Sequence, residues 1–139
     1  MTYHFERDPE SGMIFVDILL DELHKFKMVL DTGASRTTFD KSVLFMADYT
    51  VGNTLEKGAI ETANGIVEVG VFKVGILTAL GRTMHDVPVQ VYDFLAHGIL
   101  SDYDGVLGID FFENTRFCID MINQTIEIEE KFHNFPVIF

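Results

Sequence analysis

Apolar and polar positions alternate with a period of two along most of this chain, the signature of strands with one buried face. Ile14, Val16, Ile18 and Leu20 alternate with Phe15, Asp17 and Leu19; Phe26, Met28 and Leu30 alternate with Lys25, Lys27 and Val29. Asp21-Glu22-Leu23 separates the two runs and reads as a hairpin turn. Thr37-Thr38-Phe39 is β-prone, and Asp40 is placed to N-cap a short helical turn over Ser42–Met46. Residues 58–63 and 66–72 read as hairpin arms, with Asn64-Gly65, the favoured type I′ pair, at the tip. A second strand pair is expected over 71–80 and 83–92, turning at Gly81-Arg82. Residues 93–105 look irregular, a short helix is expected after Gly108, and 116–122 with 125–129 form a last hairpin.

The bulk numbers narrow the classes. At 139 residues and 47% hydrophobic content, the chain is sized for one domain with a real core. We assign residues 1–139 to that single domain, with its core over about 13–130 and an apolar tail over 131–139. The net charge of −12 leaves no basic surface for nucleic acid or an anionic membrane. No apolar run reaches the ~18 residues a membrane helix needs. The polar N-terminus has neither a basic n-region nor an apolar h-region, so no secretory signal is expected. Cys118, the single cysteine, cannot form an internal disulfide, which fits a reducing, cytoplasmic setting. Lying between Phe117 and Ile119, it is expected to be buried in a strand.

The chemistry concentrates in two short segments. In Met28-Val29-Leu30-Asp31-Thr32-Gly33-Ala34-Ser35 an apolar strand ends and delivers a carboxylate into a turn, followed by a small hydroxyl and a glycine. In Gly105-Val106-Leu107-Gly108-Ile109-Asp110-Phe111-Phe112 two glycines bracket an apolar pair. Between them lies Thr62-Ala63-Asn64-Gly65. The order of a strand leading into Asp-Thr-Gly, a hairpin with an Asn-Gly tip, and Gly-Val-Leu-Gly before a helix resembles the retropepsin-like aspartic proteases. That family comprises the retroviral proteases and their single-domain cellular and bacterial relatives. The resemblance spans about residues 13–130, and Leu107–Phe112 is closer to the cellular and retrotransposon version than to the retroviral one.

The resemblance implies an all-β, closed barrel-like acid-protease fold with one or two short helices. It also implies an aspartic endopeptidase that needs no metal or organic cofactor. Such hydrolysis uses two carboxylates sharing one proton, one taking a proton from the attacking water and the other donating to the carbonyl oxygen. This chain has one Asp-Thr-Gly, and Asp102-Tyr103-Asp104-Gly105 lacks the hydroxyl position of a second. One such carboxylate per chain implies a homodimer, with Asp31 contributed twice across a twofold axis. By resemblance Asp31 is the catalytic acid/base, Thr32 bonds across the dimer, Gly33 allows close approach and Ser35 tunes the site. Ala63, Asn64, Gly65 and Ile66 form a flap over an extended peptide. Val106, Leu107 and Gly108 brace the Asp31 loop. Retroviral members carry an Arg after the second-motif glycine, paired with an acid near the catalytic loop. Here Ile109 and Ser35 stand in those places, so both halves of the pair are missing. The alternative reading is a catalytically silent dimeric peptide-binding module on the same fold.

Other chemistries find little purchase. The histidines at 4, 24, 85, 97 and 133 show no metal-ligand spacing, and with one cysteine a zinc site is not expected. Ser11, Ser35, Ser42 and Ser101 lack a Gly-x-Ser-x-Gly frame. Asn123-Gln124-Thr125 reads as a hairpin turn rather than a glycosylation site. The Phe135-Pro136 bond in the tail is a candidate for self-processing, against core or interface packing.

Overall fold

A computed structural model describes residues 1–49, 56–62, 65–99 and 102–130. The strands are β1 (Thr2–His4), β2 (Glu6–Arg7), β3 (Ile14–Leu20), β4 (His24–Leu30), β5 (Thr38–Asp40), β6 (Glu56–Thr62), β7 (Gly65–Ala79), β8 (Arg82–Tyr92), β9 (Gly105–Leu107), β10 (Thr115–Asp120) and β11 (Thr125–Glu130). One α-helix, α1, covers Lys41–Met46, and 3₁₀ turns cover Leu95–His97 and Ile109–Phe112. The larger sheet runs β2-β3-β4-β9-β5-β8-β7-β6, and β3 also pairs with β7. The ring β3-β4-β9-β5-β8-β7 therefore closes on itself as a six-stranded barrel. β1, β11 and β10 form a separate three-stranded sheet.

The period-two pattern fills the barrel. Val16, Ile18, Leu20, Met28, Leu30, Phe39, Val74, Leu77, Val89 and Leu107 are all buried, and Phe111 plugs the same core from the second 3₁₀ turn. At the seam, Ile18 pairs with Ala79 and Leu20 with Leu77. The β3–β4 turn is anchored to that seam. Asp21 and Glu22 sit at φ 55° and 59°, an uncommon region for residues other than glycine. Asp21 donates its N–H to the Ile76 carbonyl at 2.9 Å and accepts the Ile76 N–H on its carboxylate at 3.1 Å.

The central threading is what positions the site. β9 lies between β4, to which it is parallel, and β5, to which it is antiparallel. The chain leaving β4 must therefore arch over the end of β9 to reach β5, about two strand spacings or ~10 Å away. Asp104 seats the incoming strand, donating its N–H to the Lys27 carbonyl at 2.8 Å and accepting the Lys27 N–H at 2.9 Å. A Cβ on Gly105 would collide with the Thr38 carbonyl and the Met28 thioether, so only glycine fits this crowded entry.

Several expectations need correction. The runs 66–72 and 71–80 are one continuous strand, β7, whose pairing with β8 keeps one register from Gly70 to Ala79. Gly65 pairs with Thr62 as the first residue of that strand rather than sitting at a tip. Arg82 likewise pairs with Ala79, and the turn falls on Leu80-Gly81, both at positive φ. The segment taken as irregular contains the 3₁₀ turn Leu95–His97, and Gly105 belongs to β9. Asp40 occupies the N-cap position of α1, but its side chain makes no capping bond. It accepts instead from the Ser42 hydroxyl at 2.8 Å and the Phe94 N–H at 3.2 Å. Strands β1 and β2 were not foreseen. Cys118 is exposed, not buried: in β10 it shares the outward face with Arg116, while Phe117 and Ile119 turn inward. Residues 63–64 and the tail 131–139 lie outside the described residues.

Candidate active site

Asp31 is the first residue after β4 and opens the seven-residue arch, 31–37, that crosses β9. Its carboxylate folds back to accept the Gly33 N–H at 2.8 Å, and its carbonyl accepts the Ala34 N–H at 3.1 Å. This local turn leaves Asp31, Thr32, Gly33 and Ser35 exposed. A Cβ on Gly33 would lie 3.2 Å from the Asp31 carboxylate, a tight contact.

The arch is held from beneath by four consecutive residues of the second motif. Leu107 accepts the Asp31 N–H on its carbonyl at 3.1 Å. Gly108 donates its N–H to the Thr37 hydroxyl oxygen at 3.1 Å. Ile109 donates its N–H to the Ala34 carbonyl at 2.9 Å. Asp110 accepts the Thr37 N–H at 3.0 Å and the Thr37 hydroxyl at 2.8 Å. Gly108 is obligatory for the approach, since a Cβ there would meet the Ala34 carbonyl and the Arg36 carbonyl carbon, both at 2.8 Å.

Of the residues named from sequence, the fold brings Asp31, Thr32, Gly33 and Ser35 into one arch and places Leu107 and Gly108 directly under it. Val106 pairs with Val29, two positions before Asp31. Gly65 and Ile66 open β7 opposite Thr62 and Glu61, while Ala63 and Asn64 lie outside the described residues. Thr37 and Asp110 were missed as site residues. They stand 73 residues apart and carry no local pattern linking them; only the threading of β9 brings them together. Among the described residues no cluster of three or more His, Cys, Asp or Glu is arranged to hold a metal ion. No helix among them is long and apolar enough to cross a membrane.

Comparison with known proteins agrees with this architecture. No curated protein sequence matches the chain. Among solved structures, a retropepsin-like aspartic protease from Rickettsia conorii superposes with a TM-score of 0.64 at 17% identity, covering 91% of this chain and 87% of the other. At that identity the likeness establishes the fold, which is retropepsin-like. The aspartyl protease family matches residues 16–111, a span that runs from β3 through both motifs. The chain therefore belongs to the aspartyl protease family.

Proposed function

We propose that this protein is an aspartic endopeptidase, a single domain that works as a homodimer. Two copies of Asp31 meet across a twofold axis and share one proton. One carboxylate takes a proton from water as it attacks the peptide carbonyl, and the other donates to the carbonyl oxygen. Thr32 bonds between the two arches, Gly33 keeps the approach open, and Ser35 borders the carboxylates. Ala63, Asn64, Gly65 and Ile66 cover an extended peptide and exclude water from it. Val106, Leu107 and Gly108 hold the floor.

One observation carries the reading: the lone Asp-Thr-Gly arch is pinned at its base by the second motif while Asp31 itself stays exposed. A structural aspartate of a single chain has no need of that combination, whereas a half-site awaiting its twin does. The test is cleavage of an unfolded protein or peptide library at high protein concentration, with and without pepstatin, for wild type and Asp31→Asn. Cleavage that pepstatin blocks and the variant lacks supports the reading. A wild type that cleaves nothing yet still binds peptide as a dimer rejects it in favour of a silent binding module.

A further inference from the structure

We infer that Asp110 is a positioning residue for Asp31, acting through Thr37, and that it replaces the missing ion pair as the brace of the arch. The inference rests on the reading of Asp31 as catalytic and deepens it.

Hydrogen-bond directions make the case. The Thr37 hydroxyl has one proton, and it goes to the Asp110 carboxylate at 2.8 Å. That donation turns the oxygen's lone pairs toward Gly108, whose N–H it accepts at 3.1 Å. The same carboxylate takes the Thr37 N–H at 3.0 Å on each of its oxygens. Thr37 is 1% exposed, so its own hydroxyl and N–H are shielded from water, while Asp110 is half-buried. Charge-assisted bonds in such a place are stronger than neutral ones.

The clasp controls the arch because of where it closes. The arch is tethered at its start by Asp31 to Leu107 and at its middle by Ala34 to Ile109. Thr37 is its last residue before β5, so Asp110 ties down the far end. Without that clasp the far end keeps the Gln90 N–H on the Thr37 carbonyl at 2.9 Å and the β5 pairings, but the stretch between Ala34 and Thr37 loses its side-chain hold on the second motif. The carboxylate then samples orientations that do not meet its twin. A guanidinium pairing with an acid near residue 35 would brace the same arch from the next positions along, but this chain has Ile109 and Ser35 there. Asp110 performs the bracing with an acceptor and a hydroxyl instead of a cation.

Four variants test this: Asp110→Ala, Asp110→Asn, Thr37→Val and Thr37→Ser. Each is assayed for kcat and KM at concentrations where sedimentation shows the dimer saturated, and for amide hydrogen exchange over residues 31–34. A displacement of the order of an ångström at a reacting group lowers turnover by about ten- to a hundredfold. Asp110→Ala and Thr37→Val are therefore expected to lose about that factor in kcat with KM changed less than about twofold. Thr37→Ser, which keeps the hydroxyl, is expected to retain wild-type turnover, and Asp110→Asn to fall between. Folded, dimeric Thr37→Val with wild-type kcat overturns the proposal. So does a loss of activity that rising protein concentration restores, since the residue would then serve only association. If wild type cleaves nothing, the proteolytic reading fails and exchange alone judges the clasp. Faster exchange at 31–34 in Thr37→Val than in Thr37→Ser supports it, and equal exchange rejects it.

Discussion

The Tyr49 hydroxyl donates to the Asp21 carboxylate at 2.6 Å, joining the third residue after α1 to the turn between β3 and β4. The same hydroxyl oxygen accepts the Gly75 N–H at 2.9 Å, so one phenol ties three segments at the seam where β3 meets β7. Tyr49→Phe removes both bonds and leaves the Gly75 N–H and an Asp21 oxygen without that partner. Loss of partly buried hydrogen bonds of this kind costs about 1–3 kcal/mol. Urea denaturation of the two proteins measures it, and equal midpoints would show that the seam does not depend on this phenol.

That contact also sets a pH dependence. Burial, and then the bond to Asp21, push the Tyr49 pKa from its ordinary 10 up to about 12. The folded state holds the phenolic proton where the unfolded chain has released it. The stabilisation is therefore whole below pH 10 and drains away as pH rises toward 12. Wild type should lose stability across that window more steeply than Tyr49→Phe. Parallel curves would contradict the assignment.

Gly108 lies against the backbone of the Asp31 arch, and a methyl group there has nowhere to go. Its Cβ would press on backbone atoms of Ala34 and Arg36 at 2.8 Å, which no rotamer change can relieve. Gly108→Ala is expected to destabilise by about 1–3 kcal/mol through overpacking. It should also lower cleavage more than stability alone explains, because the displaced atoms belong to the Asp31 arch. Fully wild-type activity in the folded variant would mean that the arch adapts freely.

Shared use of Asp31 makes a quantitative prediction about mixtures. If two copies build one site, an equal mixture of wild type and Asp31→Asn, allowed to exchange subunits, contains about a quarter wild-type homodimers by random pairing. Activity per total protein should fall to about that fraction, not to half. Asn keeps the Oδ1 acceptor for the Gly33 N–H, so the turn itself should survive the substitution. A linear mixing curve would indicate that each chain works alone.

The strands were legible wherever one face is buried, because a period of two is a local property. β3 and β4 run over the residues that alternate; Val16, Ile18 and Leu20 are buried in the core as their spacing requires, and Ile14 packs against it half-buried. Asp31, Thr32 and Gly33 were legible because a strand end followed by a carboxylate and a glycine is also local. What could not be read lies in the threading. Thr37 and Asp110 become partners only because β9 inserts between β4 and β5, and nothing in either neighbourhood announces it. β7 was read as two runs, 66–72 and 71–80, although no turn separates them. Gly75 is a close-contact site, where a Cβ would come within 2.8 Å of the Asp21 carboxylate. β1 and β2 escaped notice because three and two residues are too short to show a period.

Cys118 shows how flanking residues mislead in a strand, and it yields the last prediction. Phe117 and Ile119 suggested an apolar neighbourhood, but adjacent strand residues point to opposite faces. Apolar neighbours on both sides therefore argue that Cys118 faces away from the core, as it does, sharing its face with Arg116 and lying across from Glu127. An exposed thiol meets reagents without any opening of the fold. The native protein should take up one equivalent of a neutral maleimide at a rate that low urea, below the unfolding transition, does not change. Its far-UV circular dichroism should be unaltered by the label. Protection of the thiol until the chain unfolds would place β10 in the opposite register, with Phe117 turned to solvent.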